Sequence, residues 1–225
     1  NKPLAEIHGI PMIVHVWRRA IEAQVGPVLV AAGDDQIVDV VRAAGGKALL
    51  TDPKLPSGSD RIHAALCAHD PHFKYNTVIN VQGDLPTLDA KAIQACLLPL
   101  DNPEVDIATI GTKIDKEEEI YDPNVVKVIA SIPVSGKIGR CLYFTRAKAP
   151  AGEGSYIHHI GLYAYRRTAL EQFVRLPAGI LEKRENLEQL RALEAGLRID
   201  MALVDTIPLG VDTPGDLHRA KSLLE

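Results

Sequence analysis

Apolar and polar positions along this chain follow two different periods. Across residues 11–24, Met12, Ile13, Val16, Trp17, Ala20 and Ile21 recur at helical spacing and predict an amphipathic helix. Residues 27–32 (PVLVAA) are short and almost wholly apolar, as expected of a strand covered on both faces. Asp34 and Asp35 open a helix over 37–44, which Gly45 and Gly46 stop. The order repeats with a strand over 48–51, a helix over 60–69, a buried strand over 77–81 (TVINV) and a helix over 89–98. Such β–α repetition with continuous apolar strands predicts an α/β fold. Its core would be a mostly parallel, doubly wound sheet flanked by helices.

After about residue 103 the pattern changes. Residues 105–111, 125–130, 141–145 and 157–165 read as strands, and their links are rich in Gly, Pro and Lys. This predicts an antiparallel elaboration, or flap, over about 103–165 within the same unit. Helices are expected over 167–175 and 181–195, the second ended by Gly196. A strand over 198–204 and a last helix from Pro214 follow. No internal repeat and no linker-like segment divides the 225 residues, so the expectation is one domain over 1–225.

Composition narrows the classes. The net charge of −4 is spread over mixed acids and bases, without the basic stripe of a nucleic-acid binder. Glu117, Glu118 and Glu119 form the longest acidic run, which reads as a solvated helix face. Cys67, Cys96 and Cys141 lack paired metal spacing. Their odd number argues against a disulfide framework and for a reducing compartment. No secretion signal and no bilayer-length apolar run are present, so a cytoplasmic protein without membrane insertion is expected.

Ligands of open α/β sheets sit beyond the carboxyl ends of the strands. On this reading residues 33–34, 53–59, 82–86 and 209–213 share one rim. Two runs on it each leave a carboxylate on a turn, NVQGDLP at 80–86 and GVDTP at 210–214. Asp84 follows a glycine that permits close approach of a ligand. Its alternative role is to cap the next helix, for which Thr87 and Asp89 are better placed. Asp212 precedes a well-formed helix start in which Thr213 can cap, leaving Asp212 free. Together the two aspartates form a hard-oxygen site suited to Mg²⁺ and a polyphosphate.

Residues 56–61 (PSGSDR) open a helix whose backbone N–H groups suit an anion or the polar edge of a nucleotide, while Arg61, one turn inside, has solvent open to it. His158 and His159 are neighbours on a strand and face opposite ways, which argues against a two-histidine metal site. His159 and Tyr163, four apart, share a face, and one histidine directed at an acidic substrate is the better reading.

The chain resembles the 3-deoxy-D-manno-octulosonate (Kdo) cytidylyltransferases. The resemblance is carried by KPL at 2–4, GIPMI at 9–13, SGSDR at 57–61, NVQGDLP at 80–86, NVVKV at 124–128, LYFTRA at 142–147, HIGLY at 159–163, LEQLR at 187–191 and GVDTP at 210–214. It implies a nucleotide-diphospho-sugar-transferase (Rossmann-like) fold, a homodimer, and the reaction of CTP with Kdo to give CMP-Kdo and pyrophosphate. By resemblance Asp84 and Asp212 hold Mg²⁺, Gln82 lines the same site, and Lys2 meets the triphosphate. Ser57, Gly58 and Arg61 fall nearest the cytidine. Arg146, His159, Tyr163, Glu188 and Gln189 match positions around the acid sugar.

Family members carry a strand and an Arg-containing phosphate loop ahead of the Lys-Pro-Leu run. The resemblance therefore implies that this head is missing from the sequence that opens at Asn1. Leu85 stands where the family usually has an acid, and His158 where it often has Arg. Rival readings are a cytidylyltransferase for another acidic sugar such as sialic acid, a nucleotide-sugar-dependent glycosyltransferase, and a non-catalytic nucleotide-binding homologue. The glycosyltransferase reading lacks the first acid of an Asp-x-Asp motif, since Gln82 stands there.

Overall fold

A computed structural model describes residues 2–224. In chain order they form β1 (Glu6–Ile7), β2 (Ile10–Pro11), α1 (Met12–Glu22), β3 (Leu29–Ala32), α2 (Asp35–Ala43), β4 (Lys47–Leu50), α3 (Gly58–His69), β5 (Thr77–Asn80) and α4 (Ala90–Ala95). They continue with β6 (Ile107–Lys113), α5 (Glu117–Tyr121), β7 (Lys127–Ser131), β8 (Ile138–Thr145), β9 (Ile157–Arg166), α6 (Arg167–Phe173), α7 (Ile180–Glu185), α8 (Leu190–Glu194), β10 (Ile199–Leu203) and α9 (Pro214–Leu223). Contacts group them into two compact units. One comprises Asn1–Tyr75, Asn80–Gln94 and Pro208–Glu225, the other Asn76–Ile79 and Ala95–Ile207.

In the first unit, α1 buries Met12, Ile13, Val14, Val16 and Ala20 on one face. Ile13 and Val14 pack with Ile37, Val38 and Val41 of α2 and with Ala32 and Ala48 of the parallel pair β3–β4. Asp34 caps α2 by accepting from the Gln36 amide at 2.8 Å. A second cluster, Ile7, Met12, Val211 and Ala220, fixes α9 beside the first residues of the chain. The hairpin β1–β2 turns through His8 and Gly9, both with left-handed φ (51° and 73°), as the type I′ two-residue hairpin turn requires.

The second unit is built on a six-stranded sheet of order β5-β9-β6-β10-β8-β7. An additional pairing of β7 with β9, at Lys127 and His158, curls it into a barrel-like form. Strand β6 is buried along Ile107 to Thr112. Gly111 is required there, because a Cβ would meet Met201 Cε at 2.5 Å and the His158 carbonyl at 2.9 Å. Phe144, Leu162, Leu170, Phe173, Leu190 and Ile199 complete a core that is almost entirely withdrawn from water.

Two expectations are corrected. The α/β class holds, but the larger sheet is mixed rather than mostly parallel. Strand β6 runs parallel to β10, while β6–β9, β10–β8, β7–β8 and β7–β9 are antiparallel. The reason is local: β7 and β8 are joined by a turn around Pro133 and Gly136, too short for the crossover that parallel pairing needs. The strands read as a flap thus lie in one sheet with β10.

The helix expected over 181–195 is likewise two, α7 and α8. Asn186 ends α7 in the left-handed region (φ 55°, ψ 49°), which asparagine tolerates better than most residues. Arg191 donates to both carboxylate oxygens of Glu182 at 2.8 and 2.6 Å and holds the two short helices together. The Glu194 carboxylate accepts from the amides of Ile180 and Leu181, the free donors at the start of α7.

Candidate active site

The first unit brings two aspartates to one point. The Val211 amide donates to the Asp84 carbonyl at 3.0 Å, and the Leu209 amide donates to Thr87 Oγ1 at 2.8 Å. These ties lay the 209–211 segment along the 84–87 turn. Thr213 then caps α9 reciprocally with Asp216, whose carboxylate accepts from the amides of Asp212 and Thr213. Capping is thereby complete without the Asp212 side chain. Lys2 Nζ donates to Asp84 Oδ2 and to Asp212 Oδ1, each at 2.9 Å. Partial burial works against the Lys2 ammonium, but its hydrogen bonds to Asp212 and Asp84 outweigh that and hold its pKa above the usual lysine value. Asp212 remains largely exposed, so solvent screens the attraction.

The first unit also carries the residues expected near a nucleotide. Ser57 caps α3, accepting from the Asp60 amide at 3.2 Å and donating to Asp60 Oδ2 at 2.6 Å. A Cβ on Gly58 would lie 3.4 Å from Gln82 Nε2, so the Gln82 amide rests against the first turn of that helix. Arg61 turns neither to solvent nor to the helix start. Its Nη1 donates to Thr51 Oγ1 at 2.6 Å and to the Asp52 carbonyl at 3.1 Å, and its guanidinium covers Gly33. Arg61 therefore ties the turns that follow β3 and β4.

The second unit holds the other predicted residues. His159 is 8% exposed, with the Phe144 ring edge-on at 4.8 Å and the Tyr163 ring at 5.5 Å. Burial, with a smaller contribution from the neighbouring His158, pushes the His159 pKa down to about 3, so the ring is neutral. Burial raises the Tyr163 hydroxyl well above its ordinary value, and the charge of Glu188 acts in the same direction. Gln189 is buried, and among the described residues its Nε2 has no hydrogen-bond partner. Arg146 is held in place by backbone, with donors on its guanidinium left over. Its Nε donates to the Glu185 carbonyl and its Nη1 to the Pro123 carbonyl, both at 2.9 Å.

Three residues escaped the sequence reading. Glu185 accepts from Thr145 Oγ1 at 2.9 Å and from the Arg146 amide at 3.0 Å, anchoring the strand end that carries Arg146. Lys127 is wholly buried and donates to the carbonyls of Asp122, Val125 and Arg146 at 2.8, 2.6 and 3.0 Å. A lone lysine inside the apolar run VVKVIA was its signal. Thr109, also wholly buried, lies 3.1 Å from His159 Nε2, and nothing in its local sequence marks it.

No group of three or more His, Cys, Asp or Glu side chains able to hold a metal occurs among the described residues. No helix among the described residues is long and apolar enough to cross a membrane. The three cysteines are free, and burial raises the thiol pKa of Cys96 and Cys141.

Residues 1–199 match a family model described as cytidylyltransferase. The 3-deoxy-manno-octulosonate cytidylyltransferase of Paramagnetospirillum magneticum is 58% identical over 225 residues, covering 100% of this chain and 92% of that protein. The enzyme of the same name from Parvibaculum lavamentivorans is 59% identical over 224 residues, covering 100% of this chain and 86% of that protein. A solved structure of CMP:2-keto-3-deoxy-manno-octonic acid synthetase complexed with CTP superposes with a TM-score of 0.90 at 35% identity, over 99% of this chain and 91% of the other.

Proposed function

From the premise that the chain belongs to the cytidylyltransferase family, we propose that it transfers CMP from CTP to the anomeric hydroxyl of Kdo. The products are CMP-Kdo, for lipopolysaccharide assembly, and pyrophosphate. The observation that carries this reading is the convergence of Asp84 and Asp212 on one cationic atom, each at 2.9 Å. A nucleotide-diphospho-sugar-transferase arrangement of the fold, a homodimer and a cytoplasmic site of action belong to the same reading. The likeness to the CTP-complexed synthetase supports the first of these.

The ammonium of Lys2 is a stand-in that tests whether the carboxylates suit a metal. Two oxygens equidistant from one cation, in a solvent-open setting, fit a hard divalent ion such as Mg²⁺, which is usually held by one or two carboxylates with phosphates and water. Asp84 and Asp212 would hold it. When bound, such an ion polarises the attacking hydroxyl and offsets charge on the α-phosphate.

The chain's own residues do the rest by positioning. Lys2, released from the aspartates, neutralises the triphosphate and then the departing pyrophosphate. Ser57, Gly58 and Gln82 receive the nucleotide at the first turn of α3, where amide groups point outward. Arg61 acts from behind, by holding the turns after β3 and β4. Arg146, His159, Tyr163, Glu188 and Gln189 take the sugar. The donor on Gln189 is buried without a partner among the described residues, which supports a polar ligand there. Little covalent work is left to the protein, so orientation and charge dominate, as in phosphoryl transfer generally.

Pyrophosphate release is the test. Release from CTP that requires both Kdo and Mg²⁺ is expected. Release with sialic acid but not with Kdo would transfer the assignment to the other acidic sugar, and CTP binding without turnover would reduce the protein to a binding homologue.

A further inference from the structure

We propose that Thr109 is a positioning residue that presents His159 to the sugar as an imidazole protonated on Nε2, leaving Nδ1 to accept a hydrogen bond from a sugar hydroxyl. This rests on the reading above that His159 lies on the sugar side.

Strands β6 and β9 change register at this point. Ile110 pairs with Ile160, whereas the preceding residue, Thr109, pairs with Tyr163, so Gly161 and Leu162 are extra on β9. Two extra residues keep His159 and Tyr163 on one face, and four residues of β9 here span only two of β6, so rings that a regular strand would hold about 13 Å apart lie 5.5 Å apart. The irregular stretch leaves carbonyls to be satisfied, and the Thr109 hydroxyl is directed at them. Its Oγ1 lies 2.8 Å from the Leu162 carbonyl, 3.3 Å from the Ile160 carbonyl and 3.1 Å from His159 Nε2.

A threonine hydroxyl has one proton. Carbonyl oxygens have none to give, so that proton serves the nearest of them, Leu162. What Oγ1 then turns toward Nε2 is a lone pair. A bare Nε2 would set two lone pairs against each other at a residue that is 0% exposed. Nε2 therefore carries hydrogen and donates. A neutral imidazole has a single N–H, so Nδ1 is the acceptor. The low pKa of the buried ring agrees with a neutral form, and the Phe144 and Tyr163 rings limit its rotation.

The consequence is chemical. An acceptor nitrogen on a neutral ring repels a carboxylate and attracts an O–H. His159 thus reads a hydroxyl of the acid sugar, and the sugar's carboxylate is recognised by other groups. Thr109 touches no substrate and acts through His159.

Imidazole ¹⁵N–¹H correlation spectra of histidine-labelled protein test the tautomer directly, with His159→Gln assigning the signal. The expected wild-type spectrum shows a neutral ring protonated on Nε2, with the Nδ1 resonance moving when Kdo is added. Thr109→Val is expected to mix the tautomers and raise KM for Kdo about tenfold, with kcat and KM for CTP changed less than about twofold. This is the loss expected when one hydrogen bond is misdirected. Thr109→Ser, which keeps the hydroxyl, should restore the wild-type spectrum and KM. A wild-type ring protonated on Nδ1 or on both nitrogens would overturn the proposal. So would equal rises in both KM values, or failure of Thr109→Ser to rescue. If the wild-type protein releases no pyrophosphate with Kdo, the sugar assignment fails, while the spectrum still decides the role of Thr109.

Discussion

At the scale of single residues the site is an electrostatic balance around Lys2. Its ammonium competes with any divalent cation for Asp84 and Asp212, since one point cannot hold both. Lys2→Met should therefore bind Mn²⁺ alone several-fold more tightly, by paramagnetic resonance, while turnover falls. Asp84→Asn or Asp212→Asn should lose both Mn²⁺ binding and turnover, the latter by on the order of 10²–10³, the scale for removing one strong electrostatic contact. Normal turnover in either asparagine variant contradicts the assignment.

His159 gives a second residue-scale expectation. The folded protein holds its pKa at about 3, against 6.5 ordinarily. Above pH 6.5 both folded and unfolded states are neutral and the group contributes nothing to the pH dependence. As pH falls below 6.5, the unfolded chain takes a proton that the folded protein refuses. Stability then drops by roughly 1 kcal/mol per pH unit until about pH 3. Urea titrations at pH 7 and pH 5 should show this slope, reduced in His159→Gln.

At the scale of elements, the fold depends on joints that periodicity does not reveal. The apolar spacing over 181–195 continues through Asn186, yet the helix stops there because Arg191 folds α8 back to Glu182. Both side chains of that pair are mostly buried, and Glu188, 3.8 Å from Arg191, is a longer second partner for the guanidinium. Glu182→Gln should cost about 1.5–3 kcal/mol in chemical denaturation, the scale of charge-assisted hydrogen bonds lost while Glu188 still faces the guanidinium. Asn186→Val should cost about 1–2 kcal/mol, because a β-branched residue is strained in the left-handed region, and Asn186→Gly should be close to neutral. Equal stability of all three variants and the wild type would mean that the joint is incidental. Lys127 is a joint of another kind, a buried ammonium whose three donors hold the Asp122 and Val125 carbonyls and that of Arg146.

At the scale of the whole molecule, the proposed function predicts linkage between ligand and stability. CTP with Mg²⁺ at a hundred times its Kd should stabilise the protein by about 2.7 kcal/mol. For a chain of this length that is on the order of 5–10 °C in Tm. Asp212→Asn should lose the part of the shift that requires metal and retain the part due to CTP alone. A homodimer would give twice the chain mass by light scattering; a monomer at micromolar concentration would remove that part of the proposal.

Much of this was open to the sequence by itself. Apolar spacing determined which segments are helix and which strand, because each buries one face of a regular element. The helix start at Thr213, and one somewhere within 56–61, were visible because capping is a matter of three or four neighbouring residues. The aspartate-bearing turns were visible for the same reason. Tertiary structure alone decided the rest. It set the order and direction of strands, turned Arg61 back to Thr51, ended α7 at Asn186 and aimed Thr109 at His159. It also set Lys2 between two aspartates, one of them 210 positions away along the chain. Local periodicity records which face an element hides. What hides it, and which polar groups meet there, depends on pairings between distant residues that no short window of sequence contains.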